Sequence, residues 1–435
     1  MCGVFVDFSS KKITNSDLDR YLFEPHVDEE EHILATYYME SNRSDMFECA
    51  RALAVGQSIG NPNVRNDYES EEVFSRNLAK ILDKDTNLRS RKRAEVTIAF
   101  PLSNFDVAQD GVTQTLVALM GGQLDIDIID KCCLLDVQFP KKYLSCFKGP
   151  KYGIHEIKKR CKAENRPLLG GIVKPKIGIS KEKINSLVLE MLRGGVDFIK
   201  EDEILGNPSF CRFEERVELV SNTVNDFCDS EGKEVFYAPC INADYPYFVE
   251  RARFAQKMGV RAVHLNFWAG MGAYKYLRDL DMDVALFFQK SGDKILTSRT
   301  NSYYIAWKVV CKLARMMGVD FIHAGMWGGY LSDSKMDLLE IMNALKGPSD
   351  FKPVVPSLSC GSHPGLAHST VYNFGTDLMM NAGGAITGHP MGTEAGARAF
   401  RQAFDCIEAN ADIMEYAKGK PELAAAIEKW GFVKP

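Results

Sequence analysis

From residue 147 to the carboxyl end the chain repeats one beat: a short apolar run, then a stretch with apolar residues at helical spacing. The runs predict eight strands, at 168–173, 196–200, 235–238, 262–266, 284–287, 321–323, 354–357 and 379–382. Between them the segment 180–192 opens on an N-capping Ser180 and lines up Ile184, Leu187, Val188 and Met191 on one face. The segment 209–227 does the same with Phe213, Val217, Val220 and Val224. Eight strand–helix units in roughly 290 residues are what a closed (β/α)8 barrel takes, and chemistry in such barrels sits just past the strand ends. Before residue 147 the order is mixed. Strands at 32–38, 93–99 and near 134–139 alternate irregularly with helices around 45–54 and 112–120, which predicts a small α+β, ferredoxin-like domain. The expected architecture is an amino-terminal α+β domain over 1–146 and a TIM barrel over 147–435.

Composition narrows the class. The 435 residues carry 53 basic and 58 acidic side chains, a net charge of -5, so no nucleic-acid footprint is expected. No apolar run reaches the length of a membrane span, and Met1 to Phe8 lacks the basic flank and apolar stretch of a secretory signal, which points to the cytoplasm. The 12 cysteines show no CxxC pair and read as buried free thiols.

The residues just past the apolar runs carry the candidate chemistry. Lys174 and Lys176 flank Pro175; a crowded amine there suits a base, a Schiff-base former or a phosphate ligand, against the bland alternative of two solvated lysines. Lys200, Asp202 and Glu203 follow the second run; continued extension would put Lys200 and Asp202 on one side, and adjacent carboxylates suit a hard cation such as Mg2+ or form a solvated acidic loop. His323 is a candidate acid, base or phosphate ligand, and the glycines after it suit a mobile lid. Ser359-Cys360-Gly361-Ser362 and Gly383-Gly384 end the last two runs, where backbone N–H groups can cradle an anion.

Together these segments resemble the RuBisCO large-chain family. Gly171 to Ser180 is similar to the family's segment bearing a lysine base, and Gly194 to Glu203 to its activation segment; Arg166 to Gly170 and Gly388 to Gly392 also fit. The resemblance implies that Lys200 takes up CO2 as a carbamate and binds Mg2+ with Asp202 and Glu203, that Lys174 transfers protons, and that His323, Gly361, Gly383 and Gly384 hold phosphate. It also implies a homodimer or a larger assembly of dimers.

The departures matter as much. Tyr330 stands at or near the place of the carboxylases' loop lysine, with Lys335 five residues on, and a phenol cannot supply that charge. Gln289 and Lys290 replace a His-Arg pair. Asn61, in the loop that reaches a partner's site in the family, is flanked by Gly56 and Pro62 rather than by the expected glutamate and tryptophan, and Gly122 replaces an asparagine. Metal and enolisation parts kept, with gas-handling parts lost, resemble the RuBisCO-like proteins, form IV. The expected activity is Mg2+-dependent enolisation or isomerisation of a phosphorylated keto compound, such as 2,3-diketo-5-methylthiopentyl-1-phosphate in methionine salvage, or a sugar-acid phosphate. The alternatives are a carboxylase or decarboxylase of such phosphates, and a non-catalytic stress-response or binding protein.

Overall fold

The computed structural model describes residues 15–82, 88–125 and 127–434; Met1 to Phe8 and Cys2 lie outside them. Two compact units are present: Met1–Phe147 with Asp293–Val310, and Lys148–Gly292 with Cys311–Pro435. In chain order the strands are β1 (His32–Glu40), β2 (Lys80–Ile81), β3 (Arg93–Pro101), β4 (Lys131–Gln138) and β5 (Leu168–Ile172). They continue with β6 (Phe198–Lys200), β7 (Phe236–Ala238), β8 (Ala262–Asn266), β9 (Ala285–Gln289) and β10 (Tyr303–Ile305). The last three are β11 (Phe321–Gly325), β12 (Val355–Leu358) and β13 (Met379–Ala382).

The first unit is a mixed sheet in the order β10-β4-β1-β3-β2, antiparallel except that β10 pairs parallel with β4. Neither β2 nor β10 was predicted from pattern; both are too short to show a period. The predicted helix over 112–120 starts earlier, at Val107, capped by Asp106 and interrupted at Gly111. The second unit carries the eight predicted strands as a parallel sheet, β7-β6-β5-β13-β12-β11-β9-β8. A parallel bridge between Cys240 and His264 closes it into a barrel. The helix Lys181–Arg193 is capped by Ser180 as predicted, whereas the segment expected from 209 becomes helical only at Phe213. Arg166 meets Asp197 through two bonds of 2.6 and 2.7 Å, and the same carboxylate accepts the Leu169 N–H, tying β5 to the turn before β6.

Period-2 alternation fills the barrel in layers. Phe198, Phe236, Phe287 and Phe321 point inward at its base, with ring centroids 4.7 to 6.3 Å apart, beside Leu168, Ala262, Ala285, Val355 and Met379. Two residues further along the alternate barrel strands β6, β8, β11 and β13 the inward positions turn polar: Lys200, His264, His323 and Asn381. The aromatic base therefore closes one end and leaves a polar layer toward the strand carboxyl ends. Among the described residues no helix is long and apolar enough to cross a membrane.

Phe321 touches three rings of this plug, so Phe321→Ala should cost about 3–5 kcal/mol of stability. Urea unfolding followed by tryptophan fluorescence would read it; a loss well under 1 kcal/mol would mean that the rings do not support the barrel.

Candidate active site

The site begins with a residue that points away from it. Glu201, fully buried, accepts from Arg216 Nε at 2.6 Å and Nη2 at 3.1 Å, from the Tyr237 hydroxyl at 2.6 Å and from the Cys240 N–H at 2.9 Å. With Glu201 fixed outward, Lys200 and Asp202 on either side are held where β6 ends. The strand stops at Lys200 and the chain turns. Lys200 and Asp202, expected to face one side, take separate partners. Lys200 Nζ donates to Glu203 Oε2 at 3.1 Å and to the Glu201 carbonyl at 2.9 Å. Asp202 instead accepts from Lys174 Nζ at 2.6 Å, and Lys174 extends past Gly383, whose added Cβ would lie 2.9 Å from Lys174 Cε.

Glu203 is the hub of a polar network. Ser291 donates its hydroxyl to Glu203 Oε1 and accepts from Gln289 Nε2 at 2.8 Å; Asn242 donates to the Glu203 carbonyl at 2.7 Å. Asn266 joins Ser291 to Asn242 by bonds of 3.0 and 2.8 Å. Burial alone would raise the Glu203 pKa, but the Lys200 charge and the Ser291 hydroxyl outweigh it and hold the carboxyl well below the usual carboxylate range.

As described, the two carboxylates are each balanced by an ammonium group. Among the described residues no three His, Cys, Asp or Glu side chains converge on a metal position. The donor set reaches three oxygen anions only if Lys200, just 2% exposed, itself becomes an anion. A carbamate would remove the charge that now balances Glu203 and leave an all-oxygen set that fits a hard divalent cation.

Opposite this cluster, His323 Nε2 lies 3.7 Å from Cys360 Sγ, while its Nδ1 has no partner. Cys360 takes a left-handed φ of 63°, followed by Gly361 at 98°. The loop 326–333 lies over these residues: an added Cβ on Gly361 would sit 2.7 Å from the Tyr330 nitrogen, and one on Gly329 2.7 Å from the Cys360 carbonyl. Asp333 holds the loop ends together by accepting from the Met326 N–H at 2.8 Å. Tyr330 is 77% exposed, and its hydroxyl interacts with the Cys360 thiol. Lys335 begins the helix Lys335–Lys346.

Of the predicted residues, Lys200, Glu203 and Gln289 are joined by hydrogen bonds through Ser291, Lys174 and Asp202 form a separate pair, and Lys290 acts electrostatically on both His323 and Cys360. Ser359 is buried with its hydroxyl unpartnered, and Gly384 has open space around it. Lys176 is exposed on its loop and makes no hydrogen bond or ion pair among the described residues. Asn61 belongs to the first unit, where its Oδ1 accepts from the Asn63 and Val64 N–H groups. Pattern reading passed over Glu201, Asn242, His264, Asn266 and Ser291. The signal for His264 and Asn266 was available, since they alternate with Ala262 and Leu265 lies between them on the other face.

A barrel whose base is plugged by rings and whose strand carboxyl ends converge lysines and carboxylates is an enzyme-type (β/α)8 fold. Residues 153–430 match the model of the ribulose bisphosphate carboxylase large chain, catalytic domain, and residues 20–143 that of its N-terminal domain. The chain belongs to the RuBisCO large-chain family. It is 32% identical over 424 residues to a ribulose bisphosphate carboxylase of Pyrococcus furiosus, covering 96% of this chain and 97% of that one. It is 30% identical over 406 residues to a 2,3-diketo-5-methylthiopentyl-1-phosphate enolase of Bacillus licheniformis, covering 92% and 98%. The octameric ribulose-1,5-bisphosphate carboxylase/oxygenase of Pyrococcus horikoshii superposes with a TM-score of 0.90 at 29% identity, over 99% of this chain and 100% of that one.

Burial, reinforced by the Lys290 and Lys200 charges, lowers the His323 pKa to about 3. The unfolded chain takes up a proton on this ring below about pH 6.5 and the folded chain does not, so stability present above that pH is lost as pH falls. Between pH 7 and pH 5 this one ring should remove about 2 kcal/mol. Urea midpoints at the two pH values should differ less in His323→Gln than in the unmodified protein; an equal difference would place the titration elsewhere.

Proposed function

We propose that this protein enolises or isomerises a phosphorylated keto compound, using Mg2+ held by a carbamylated Lys200, Asp202 and Glu203, without useful CO2 fixation. One observation carries the reading: the Lys174–Asp202 and Lys200–Glu203 pairs are intact beside the polar layer, while the loop over the site presents Tyr330. Proton transfer needs the first; holding CO2 for attack needs a fixed cation that a neutral phenol does not supply. The similarity to an enolase of phosphorylated diketones supports the same reading.

Activation is a simple addition. The unprotonated Lys200 amine attacks the carbon of CO2, an N–C bond forms, one C=O electron pair moves onto oxygen, and the nitrogen loses a proton to solvent. The Lys200 carbamate, Asp202 and Glu203 would hold Mg2+, which would supply the Lewis acidity that polarises a substrate carbonyl and eases removal of the neighbouring proton. Lys174 would move that proton: its stem passes Gly383 and its Nζ lies 2.6 Å from Asp202, beside the metal ligands. The N–H groups of Gly361, Gly383 and Gly384, with the unpartnered Ser359 hydroxyl, Lys290 and a neutral His323, are the donors for phosphate and the remaining substrate oxygens. A homodimer or larger assembly of dimers is the expected state; structures of related archaeal enzymes are described as dimeric and octameric.

The test is exchange of substrate carbon-bound hydrogen in D2O, followed by NMR, across a panel of phosphorylated ketones with Mg2+ and bicarbonate. At least one should exchange, and Lys174→Met should slow it by about 10^2- to 10^4-fold. Ribulose bisphosphate with labelled CO2 runs in parallel. Fixation at a rate comparable to the exchange would overturn the proposal in favour of a carboxylase.

A further inference from the structure

His264 is fully buried, and neither of its ring nitrogens makes a well-formed hydrogen bond; the nearest polar influence on the ring is the Glu201 backbone, whose carbonyl already accepts from Lys200 Nζ. A neutral imidazole carries one N–H and one acceptor nitrogen, and leaving such a group buried and unbonded forfeits the hydrogen bonds it had with water. Below, the ring packs edge-on against Phe287, with centroids 6.5 Å apart and planes at 83°. That neighbour offers no conventional partner. On either side along the sheet the residues in register with His264 are Cys240, just past β7, whose thiol is spent on the Glu203 carbonyl at 3.5 Å, and Phe287 of β9. The polar occupants of the same layer are Lys200, His323 and Asn381, from the alternate strands.

Lys200 stands out among these. Its Nζ lies 6.0 Å from the centre of the same Phe287 ring, and its charge acts directly on His264. As an ammonium, Lys200 has only donors and spends them on Glu203 and the Glu201 carbonyl. It offers nothing to an imidazole N–H and repels it. A carbamate on the same nitrogen reverses both terms, because it carries acceptor oxygens and a negative charge.

We propose that His264 is a positioning residue for Lys200, its ring N–H donating the hydrogen bond that holds a carbamate on the Lys200 nitrogen. This rests on the reading of Lys200 as the CO2-modified metal ligand. It goes beyond that reading by assigning the group beneath the ligands, which none of the three metal-site residues supplies. The imidazole would act as metal-site partners generally do, fixing the orientation of a ligand without touching the ion.

The test reads the modification itself. Protein is incubated with Mg2+ and 13C-labelled bicarbonate, the carbamate is trapped by O-alkylation, and the Lys200 peptide is quantified by mass spectrometry. His264→Leu should lower the trapped carbamate by about 10- to 100-fold at fixed Mg2+ and CO2, and His264→Gln, which keeps an N–H donor, should recover most of it. Urea midpoints provide the control for a merely structural role: the Leu variant should be no less stable, because it removes an unpartnered polar group. If the Leu variant does not fold, His264→Asn, polar but shorter, makes the same comparison with His264→Gln. Carbamate in the unmodified protein with an unchanged level in the Leu or Asn variant overturns the role of His264 alone. No carbamate in the unmodified protein overturns the Lys200 reading, and this inference with it.

Discussion

The buried carboxylate of Glu201 is the interaction on which the site depends. It is sandwiched between two residues with chemistry to perform, yet it faces the other way, into Arg216, Tyr237 and the backbone of Cys240. Those contacts come from the helix Phe213–Glu231 and from β7 and the segment after it, so three parts of the barrel wall converge on one side chain. Without such an anchor nothing at the strand end would fix the directions in which Lys200 and Asp202 leave the backbone. Held apart, each takes a different partner, and two separate cation–carboxylate pairs result. Removing one side of a buried pair of this kind strands the other charge, at about 3–5 kcal/mol, so the anchor and the site stand or fall together.

The second constraint is vertical. Four phenylalanine rings fill the barrel base, and the layer above them is polar on β6, β8, β11 and β13. In a barrel filled for stability alone that layer would be branched aliphatic. Here it contains buried groups with unmet hydrogen-bonding capacity, including His264, His323 and Asn381. Asn381 is accommodated only because Gly170 opposite it has no Cβ, which would sit 2.6 Å from the amide oxygen. A floor of unspent donors and acceptors, kept dry by rings beneath, suits a ligand rich in oxygen atoms.

Much of this could be read from the chain. All eight barrel strands were visible as apolar runs, because a parallel strand covered on both faces has to be apolar. Lys174, Lys200, Asp202 and Glu203 were found because they follow those runs directly. What escaped had physical reasons. The partnering of Lys200 with Glu203 rather than Asp202 follows from where the strand stops, and that is decided by the hydrogen bonds of Glu201 with residues up to 39 positions away. Ser291 lies in a turn and Asn242 in irregular chain, where serine and asparagine are common, so composition gave them no contrast. Strand β10 has three residues, and its pairing with β4 links positions about 170 apart, which no local period can announce.

That short strand also orders events in time. The sheet of the first unit ends at β4, and the only described neighbour beyond β4 is Tyr303–Ile305, from a segment the ribosome delivers after five barrel strands. During synthesis β4 therefore waits with its backbone N–H and C=O groups unpaired along one edge. Its sequence, with Cys132, Cys133 and Leu134 in succession, is apolar enough to recruit the wrong strand in that interval. The amino-terminal unit is thus finished by a piece of chain lying beyond half of the barrel, and the two units mature as interleaved products of one translation rather than one after the other.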